Sequence, residues 1–386
     1  MNRLFKIRHE RTRTDTNFLK FFVKIRVLSW LIFVQSFMAL LALSIPAAAR
    51  NADFEVQKIA GGVYAVIRRE PPSLWFNPNT VFIIGKKDVT VVDTNISSRY
   101  TQAVLAELRK LTDKPVRYVV NTHWHEDHII GNRVYREAFP KVKFIGHKST
   151  LEDLPTVGAA NRRGSLENGG GFVRLLKNLI AKGENLDKQK LSEEERAGYE
   201  SDIDLVESYL AESADFQIIL PDITVENRME FDDGQRKIEI LHLGRAHTGA
   251  DLVVSLPKEK IVASGDLIVA PVPLVGTTSY PLEYGATLEN LLRLRAEIII
   301  PGHGAVQRDD SYARLMIRLL NSIKQQAESA VKRGETLDQL RKSVNLDEFR
   351  REFAGASQHR ALIFQNYVFL PATAAAYRHL TEKKSA

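Results

Sequence analysis

The sequence of 386 residues contains no cysteine. Disulfide bonds, zinc–thiolate sites and cysteine nucleophiles are therefore excluded. With 44% hydrophobic residues, the chain can still bury a large core without covalent cross-links. Any metal site in this protein must draw its ligands from side chains other than thiolates.

A basic surface is also lacking outside the N-terminal region. The formal net charge is +7, but residues 1–26 contain eight Lys or Arg against two acidic residues. Residues 27–49 carry no charge, which leaves about +1 for residues 50–386. Such a neutral body argues against the positive footprint of proteins that bind DNA or RNA. We therefore expect a small-molecule substrate and no nucleic-acid partner, with the oligomeric state left open.

The N-terminal region has the pattern of an export signal. A basic stretch ends at Arg26, an apolar run covers about residues 27–45, and Pro46-Ala47-Ala48-Ala49 follows. This order predicts a signal peptide over residues 1–49, cleaved after Ala49, and a periplasmic or secreted protein. The alternative is an uncleaved N-terminal membrane anchor, because the apolar run is nearly long enough to span a bilayer.

Short runs rich in Val and Ile alternate with helical patterns between Phe54 and Pro301. This alternation predicts an α/β fold whose loops carry the site. Two of the predicted helices are Tyr100–Leu111 and Thr287–Leu294, the second with Thr287 as N-cap. The predicted strands are Val63–Arg68, Thr80–Ile84, Val89–Asp93, Val116–Asn121, Lys143–Gly146, Lys237–His242, Leu252–Leu256, Ile261–Ser264 and Ile298–Pro301.

Two further regions are predicted to be helical. Residues of about 150–215 form an insertion, in which a capping-box pattern at Ser192–Glu195 begins a helix and residues 166–171 form a flexible loop. The insertion is either a lid that selects the substrate or a dimer contact. Residues 50–310 are therefore expected to form one domain with this insertion, followed by a helical C-terminal extension over residues 311–386.

The strongest chemical signal is the segment Asn121-Thr-His-Trp-His-Glu-Asp-His128, which follows an apolar strand. It contains four metal-binding side chains within six positions: His123, His125, Asp127 and His128. Imidazole and carboxylate groups are good ligands for zinc and similar divalent ions. Because one ion cannot readily use all four, the segment indicates two metals.

Three more candidate ligands each lie beside a glycine at the end of a predicted strand. They are His247 in Gly-Arg-Ala-His-Thr-Gly, Asp266 in Ala-Ser-Gly-Asp and His303 in Pro-Gly-His-Gly. Glycine lets the backbone turn sharply and lets a metal or a neighbouring chain approach closely. Each segment alone is weak evidence, but together with the first cluster they form a set of seven ligands.

These four segments, in this order, resemble the metallo-β-lactamase superfamily over about residues 54–305. The resemblance implies a four-layer αββα sandwich, here with the helical insertion and the C-terminal extension. It also implies that His123, His125 and His247 bind one metal, that Asp127, His128 and His303 bind the second, and that Asp266 bridges both. Two Zn²⁺ per chain are expected, with iron and manganese as alternatives.

Two-metal chemistry then predicts hydrolysis by a hydroxide shared between the ions. The bond cleaved would be an ester, thioester, lactone, amide or β-lactam-like bond, and Asp127 would act as a catalytic residue that orients the hydroxide. An aspartate at position 266 resembles glyoxalase II-like, lactonase-like and sulfatase-like members more than the zinc β-lactamases, although export suits a β-lactam-degrading role.

Two other functions stay open at this stage. The same scaffold can hold iron for oxygen chemistry, as in persulfide dioxygenase-like members, and the sequence does not identify the metal. The protein could also bind metal without catalysis. Metal analysis and turnover of ester and lactam reporters separate these alternatives.

Several other residues are weaker candidates. Asp93 resembles a structural aspartate that braces a loop, and His147 is interpreted as a surface histidine. Asn79, Arg245 and Tyr280 lie in or near loops that could face the substrate. Trp75 and Phe76 form an apolar lip over the site or pack against the sandwich.

Overall fold

The computed structural model describes residues 54–69, 71–212 and 217–382. The predicted signal peptide or anchor, residues 1–49, lies outside the described residues. Within the described part, no helix is both long enough and apolar enough to cross a membrane.

Twelve strands of the described chain form two sheets. In the first sheet the strands follow sequence order, antiparallel from β1 to β4 and parallel from β4 to β7. It contains β1 (Phe54–Ala60), β2 (Val63–Arg68), β3 (Thr80–Ile84), β4 (Val89–Val92), β5 (Val116–Val120), β6 (Lys143–His147) and β7 (Ile223–Val225). The second sheet has the order β12-β11-β10-β9-β8, with β8 (Arg228–Asp232), β9 (Lys237–His242), β10 (Leu252–Leu256), β11 (Ile261–Val269) and β12 (Ile298–His303).

The hydrophobic clusters show four layers. One cluster joins the facing sides of the two sheets, for example Val92 and Val120 with Ile240 and Ala263. A second cluster packs α1 (Ser98–Leu111) and α3 (Asn132–Ala138) on the outside of the first sheet. A third packs α7 (Pro281–Arg293) and the C-terminal helices on the outside of the second sheet. This helix–sheet–sheet–helix order confirms the predicted αββα sandwich.

The insertion and the C-terminal extension are helical, as predicted. The insertion contains α4 (Thr150–Asp153), a π-helical turn (Leu154–Gly158), α5 (Ala159–Lys182) and α6 (Glu193–Glu212). The capping box is present, because the Glu195 side chain accepts from the Ser192 backbone and the Glu195 backbone donates to the Ser192 hydroxyl. The extension contains α8 (Ser311–Lys332), α9 (Leu337–Ser343), α10 (Asp347–Ala354), α11 (Gln358–Phe364), a π-helical turn (Gln365–Phe369) and α12 (Leu370–Glu382). Between β5 and α3, the short helix α2 covers Glu126–Ile129.

Two local predictions were wrong. The glycine-rich stretch at 166–171 is not a loop but the middle of α5. A methyl group at Gly169 would lie 3.2 Å from Val206 and 3.4 Å from Leu210, so the close approach of α6 favours glycine inside a helix. Thr287 is not an N-cap, because α7 begins at Pro281 and Thr287 donates to the Arg245 carbonyl from within the helix.

The packing of α6 generates a stability prediction at Gly198. A side chain there would lie 2.6 Å from the Pro72 carbonyl and 2.6 Å from His359 Nε2. We expect Gly198→Ala to lower the free energy of unfolding by about 1–3 kcal/mol, although alanine favours a helix, because this contact cannot widen without moving the backbone. Chemical denaturation measures the change.

Gly164→Ala in α5 is the matched control. An added Cβ at Gly164 has no atom within 4 Å, so alanine should leave the stability unchanged or raise it slightly. Equal effects of the two substitutions would contradict the packing of α6 against the loop at Pro72.

Candidate metal centre

The first sheet supplies four of the seven predicted ligands. His123 and His125 follow the end of β5, and Asp127 and His128 lie in the one-turn helix α2. The chain leaves a buried parallel strand and turns at once into the helix, which places imidazole and carboxylate groups at the same sheet edge. His125 is the residue that precedes α2, in an extended conformation with φ −64° and ψ 146°.

The second sheet supplies the other three ligands. His247 lies in the turn between β9 and β10, Asp266 lies in β11, and His303 ends β12. Parallel strands β11 and β12 pass so closely that a Cβ at Gly302 would lie 2.0 Å from Asp266 Oδ1. Glycine at 302 is therefore a requirement for placing Asp266 beside His303.

Asp266 lies between the two sets of imidazoles. Its Oδ2 atom is 3.4 Å from His247 Nε2 and 3.9 Å from His123 Nε2. Its Oδ1 atom is 3.3 Å from the Nε2 atoms of both His128 and His303. The two oxygens of one carboxylate thus face two different groups of imidazoles.

The ligand atoms of each group lie within 4.8 Å of one another. In the first group, His125 Nδ1 is 2.9 Å from His247 Nε2. In the second, Asp127 Oδ2 is 3.2 Å from His128 Nε2 and 3.3 Å from His303 Nε2. The first group consists of His123, His125, His247 and Asp266, and the second of Asp127, His128 and His303.

Contacts on the far side of the rings orient the imidazoles. His128 Nδ1 lies 2.8 Å from Asp93 Oδ2, His247 Nδ1 lies 3.2 Å from the Leu274 carbonyl, and His303 Nδ1 lies 2.9 Å from the Asn77 carbonyl. Acceptors at these positions keep the proton on Nδ1 and leave Nε2 free to bind a metal.

Asp93 has the bracing role that was predicted for it, and it also orients a ligand. Its carboxylate accepts from both the backbone and the hydroxyl of Thr122, each at 2.8 Å, besides its contact with His128. Its φ of 58° lies in the left-handed region, where aspartate is one of the few tolerated side chains. The residue therefore couples the end of β4 to the ligand segment after β5.

Burial and charge divide the imidazoles into two protonation classes. Burial lowers the pKa of His123 well below its usual range, and burial with the neighbouring His247 lowers that of His125 to about 3. Burial opposes protonation of His303 too, but Asp266 and Asp127 raise its pKa to about 9. The imidazoles of the first group are therefore neutral and ready for a cation, whereas a cation must compete with a proton at His303 in the second group.

These donors fit divalent metal ions. Imidazole nitrogens and carboxylate oxygens are the ligands that zinc and related ions use when thiolates are absent. His123 Nε2 is buried with no hydrogen-bond partner among the described residues, which is costly unless another group satisfies it. A cation in the first group would satisfy this atom.

A cleft with a cavity of about 200 Å³ opens over the two groups. Phe76 and Trp75 both line it, and both also pack against the protein. The Phe76 ring meets His303 edge-on at 4.1 Å, and Trp75 lies 5.4 Å from Tyr209. Phe76 therefore lines the cleft and packs against the sandwich at the end of β12, whereas Trp75 lines the cleft and packs against α6 of the insertion.

The insertion also contacts α2, the short helix that carries Asp127 and His128. The sequence analysis did not predict this contact. Arg162 of α5 makes a 2.7 Å ion pair with Glu126, and the Tyr209 hydroxyl of α6 donates to the same carboxylate at 2.7 Å. Glu126 lies between the ligands His125 and Asp127. No local sequence signal could have shown these contacts, since they join residues 36 and 83 positions apart.

Asn79, Arg245 and Tyr280 lie outside the cleft lining. The Asn79 amide donates to the Pro301 and Gly304 carbonyls and so braces the turn that carries His303. Arg245 pairs with Glu283 and lies over the Tyr280 ring at 4.4 Å. A role for these three in substrate binding stays a prediction.

His147 is half-buried and bonds Ser149 and the Glu226 carbonyl, apart from both ligand groups.

Two curated proteins show similarity to parts of this chain. A linear primary-alkylsulfatase from Pseudomonas sp. (strain ATCC 19151) is 25% identical over 308 residues, which cover 74% of this chain and 55% of that protein. A metallo-beta-lactamase type 2 from Bacillus sp. (strain 170) is 31% identical over 102 residues, 25% of this chain and 39% of that protein. The chain thus spans about half the length, or less, of these curated relatives.

Among solved structures, a metallo-beta-lactamase from Pontibacter korlensis superposes with a TM-score of 0.46 and 17% identity, covering 69% of this chain and 99% of that one. The family model of the metallo-beta-lactamase superfamily matches residues 74–303. That match takes in more than half of the chain and all seven predicted ligands, and the chain therefore belongs to the metallo-β-lactamase superfamily.

Proposed function

We propose that this protein is a hydrolase that uses two divalent metal ions, zinc in the first instance. The first ion would be held by His123, His125 and His247, the second by Asp127, His128 and His303, with Asp266 shared. The observation that carries the proposal is the position of Asp266, whose two oxygens face the two groups separately. An ion in each group could therefore bind a different oxygen of the same carboxylate.

Two ions bound there would acidify a water and polarise the oxygen of the substrate bond. The three residues of the second group differ in how far their side chains are exposed to the cleft. Asp127 has a side chain that is 20% exposed and lines the cleft, whereas His128 and His303 of the same group are almost completely buried. Asp127 is therefore the carboxylate positioned to orient the attacking water and to hold its proton for the leaving group.

We propose an ester as the bond cleaved, with a sulfate ester as the first class to test. The similarity to the alkylsulfatase extends over 74% of this chain, beyond the segment that the family model matches, while the similarity to the Bacillus lactamase covers 25%. β-Lactams are the second class to test. We also propose that the protein is exported by its N-terminal segment, or anchored by it, and that it acts on a small molecule.

The metal content of the purified chain tests the two-ion proposal. We expect about two zinc per chain by elemental mass spectrometry, and the loss of at least one in Asp266→Ala, because that substitution removes a ligand from both groups. In Asp266→Ala, the rate of hydrolysis of ester and sulfate-ester reporters should fall at least about a hundredfold relative to the unsubstituted protein.

Other outcomes are equally informative. One iron per chain would support an oxygenase, and tight zinc without turnover of any reporter would support a non-catalytic protein. A folded chain without metal would overturn the proposal. Asp266→Asn, which keeps the size of the buried side chain, separates loss of a ligand from loss of the fold.

A second prediction concerns Asp93. Asp93→Asn keeps the side-chain size and tolerates the left-handed backbone, but it removes the carboxylate that orients His128. We expect the affinity of the second metal to fall about 10–100-fold, with a smaller effect on the first, since second-layer partners of histidine ligands have effects of this size. Titration with Co²⁺ or Zn²⁺ resolves the two steps.

Asp113→Asn is the control, because Asp113 is an exposed aspartate between α1 and β5. Its two metal affinities should equal those of the unsubstituted chain. An Asp93→Asn protein with unchanged affinity for both metals would show that His128 is oriented by other contacts.

A further inference from the structure

The cleft over the metal centre continues into a wider groove of about 630 Å³. The two cavities have five lining residues in common, three of them apolar: Leu74, Phe76 and Leu274. They therefore form one path that leads from Asp127 and Asp266 to Thr277 and Tyr367.

Charge is confined to the metal end of this path. Glu126, Asp127 and Asp266 line the inner cavity together with His125, and Glu126 is neutralised by its ion pair with Arg162. The described residues that line the outer groove carry no charge. They are Leu74, Phe76, Ala160, Asn161, Gly164, Ser165, Leu274, Thr277 and Tyr367.

The apolar residues of the groove are available to a ligand. Leu74, Phe76, Leu274 and Tyr367 are all half-buried, so part of each side chain contacts solvent at the groove. Covering such surface with an apolar group is favourable by about 25 cal/mol per Å². An apolar substituent of the substrate would therefore gain affinity here, while a charged substituent would find no partner among the residues lining the groove.

One wall of the groove is α5, and Gly164 leaves space at that wall. A Cβ built on Gly164 meets no atom within 4 Å, although the residue is half-buried and lies within a continuous helix. Alanine would be the more favourable residue in such a helix. A Cβ at this position would therefore occupy open space at the groove.

We propose that the outer groove binds an extended apolar chain of the substrate and that Gly164 determines how long this chain can be. The substrate would be an ester with an anionic or polar head at the metals and a linear hydrocarbon tail between α5 and the Leu74–Phe76 segment. This inference rests on the proposed hydrolase function, because it takes the metal centre as the place of the head group.

The backbone of the Leu74–Phe76 segment is held firmly enough to serve as the opposite wall. Asp202 of α6 accepts from the backbone amides of Leu74 and Trp75, at 3.3 and 2.6 Å. The Tyr367 hydroxyl donates to the Ser73 carbonyl at 3.0 Å. The insertion and the C-terminal extension therefore both fix this wall, and the width of the groove is set by the fold.

The experiment measures binding of linear alkyl sulfonates, from butyl to dodecyl, to the zinc-loaded full chain by calorimetry below their micelle concentrations. These probes have an anionic head and no bond that hydrolysis would cleave. We expect the Kd to fall about two- to fourfold for each added methylene until the groove is filled. A Kd that does not change with chain length would overturn the proposal.

Gly164→Leu tests the position of the tail. It should weaken binding of the long sulfonates at least tenfold and leave that of butyl sulfonate within twofold. Gly171→Leu is the matched control, because Gly171 is an exposed glycine of the same helix that does not line the groove. Equal binding to the two variants would place the tail elsewhere and contradict the inference. If Gly164→Leu does not fold, Gly164→Ala should show a smaller shift in the same direction.

Hydrolysis of a short ester by the same samples reports on the proposed function separately. If the short ester is cleaved but chain length has no effect on binding, the groove inference fails while the hydrolase stands. If binding tightens with chain length but no ester or sulfate ester is cleaved, the hydrolase proposal fails and the groove remains a binding site.

Discussion

The buried carboxylate of Asp266 is the constraint on which the geometry of the rest of the site depends. This carboxylate is buried and lies close to imidazoles from both sheets. A side chain at position 302 would collide with it, so that position requires glycine. Burying a carboxylate is costly unless cations or donors surround it. The edge where the two sheets meet satisfies this condition, because β5 brings its ligands to one side and β9, β11 and β12 bring theirs to the other.

Around this carboxylate, the fold orients three imidazole rings through acceptors on the far side of each ring. Asp93, the Leu274 carbonyl and the Asn77 carbonyl hold the far nitrogens of three imidazoles. Each acceptor comes from a different segment, so several parts of the sandwich must be correctly placed before the ligands converge. Side chains already fixed in this way lose little entropy when an ion binds, which favours tight binding.

Helices of the insertion and of the C-terminal extension contact the segments that line the cleft. Arg162 and Tyr209 contact Glu126 beside the ligands, while Asp202 fixes the segment that carries Trp75 and Phe76. His359 and Tyr367 of the C-terminal extension contact the carbonyls of Pro72 and Ser73. The insertion and the extension thus hold the same short wall of the cleft in place.

The sequence alone determined nine of the twelve described strands, most of the helices and the seven candidate ligands, because alternating Val and Ile runs and the crowded His and Asp motifs are local patterns. Five of the nine predicted strands have altered ends, and β1, β7 and β8 were missed, since weakly patterned edge strands depend on their neighbours. The helical state of residues 166–171 was decided by packing of α6 at Gly169, against local propensity. Only the tertiary structure could reveal the contacts of Glu126, the bracing role of Asn79 and the uncharged outer groove. Each of these joins segments far apart in the chain, and the distances between such segments are fixed by packing.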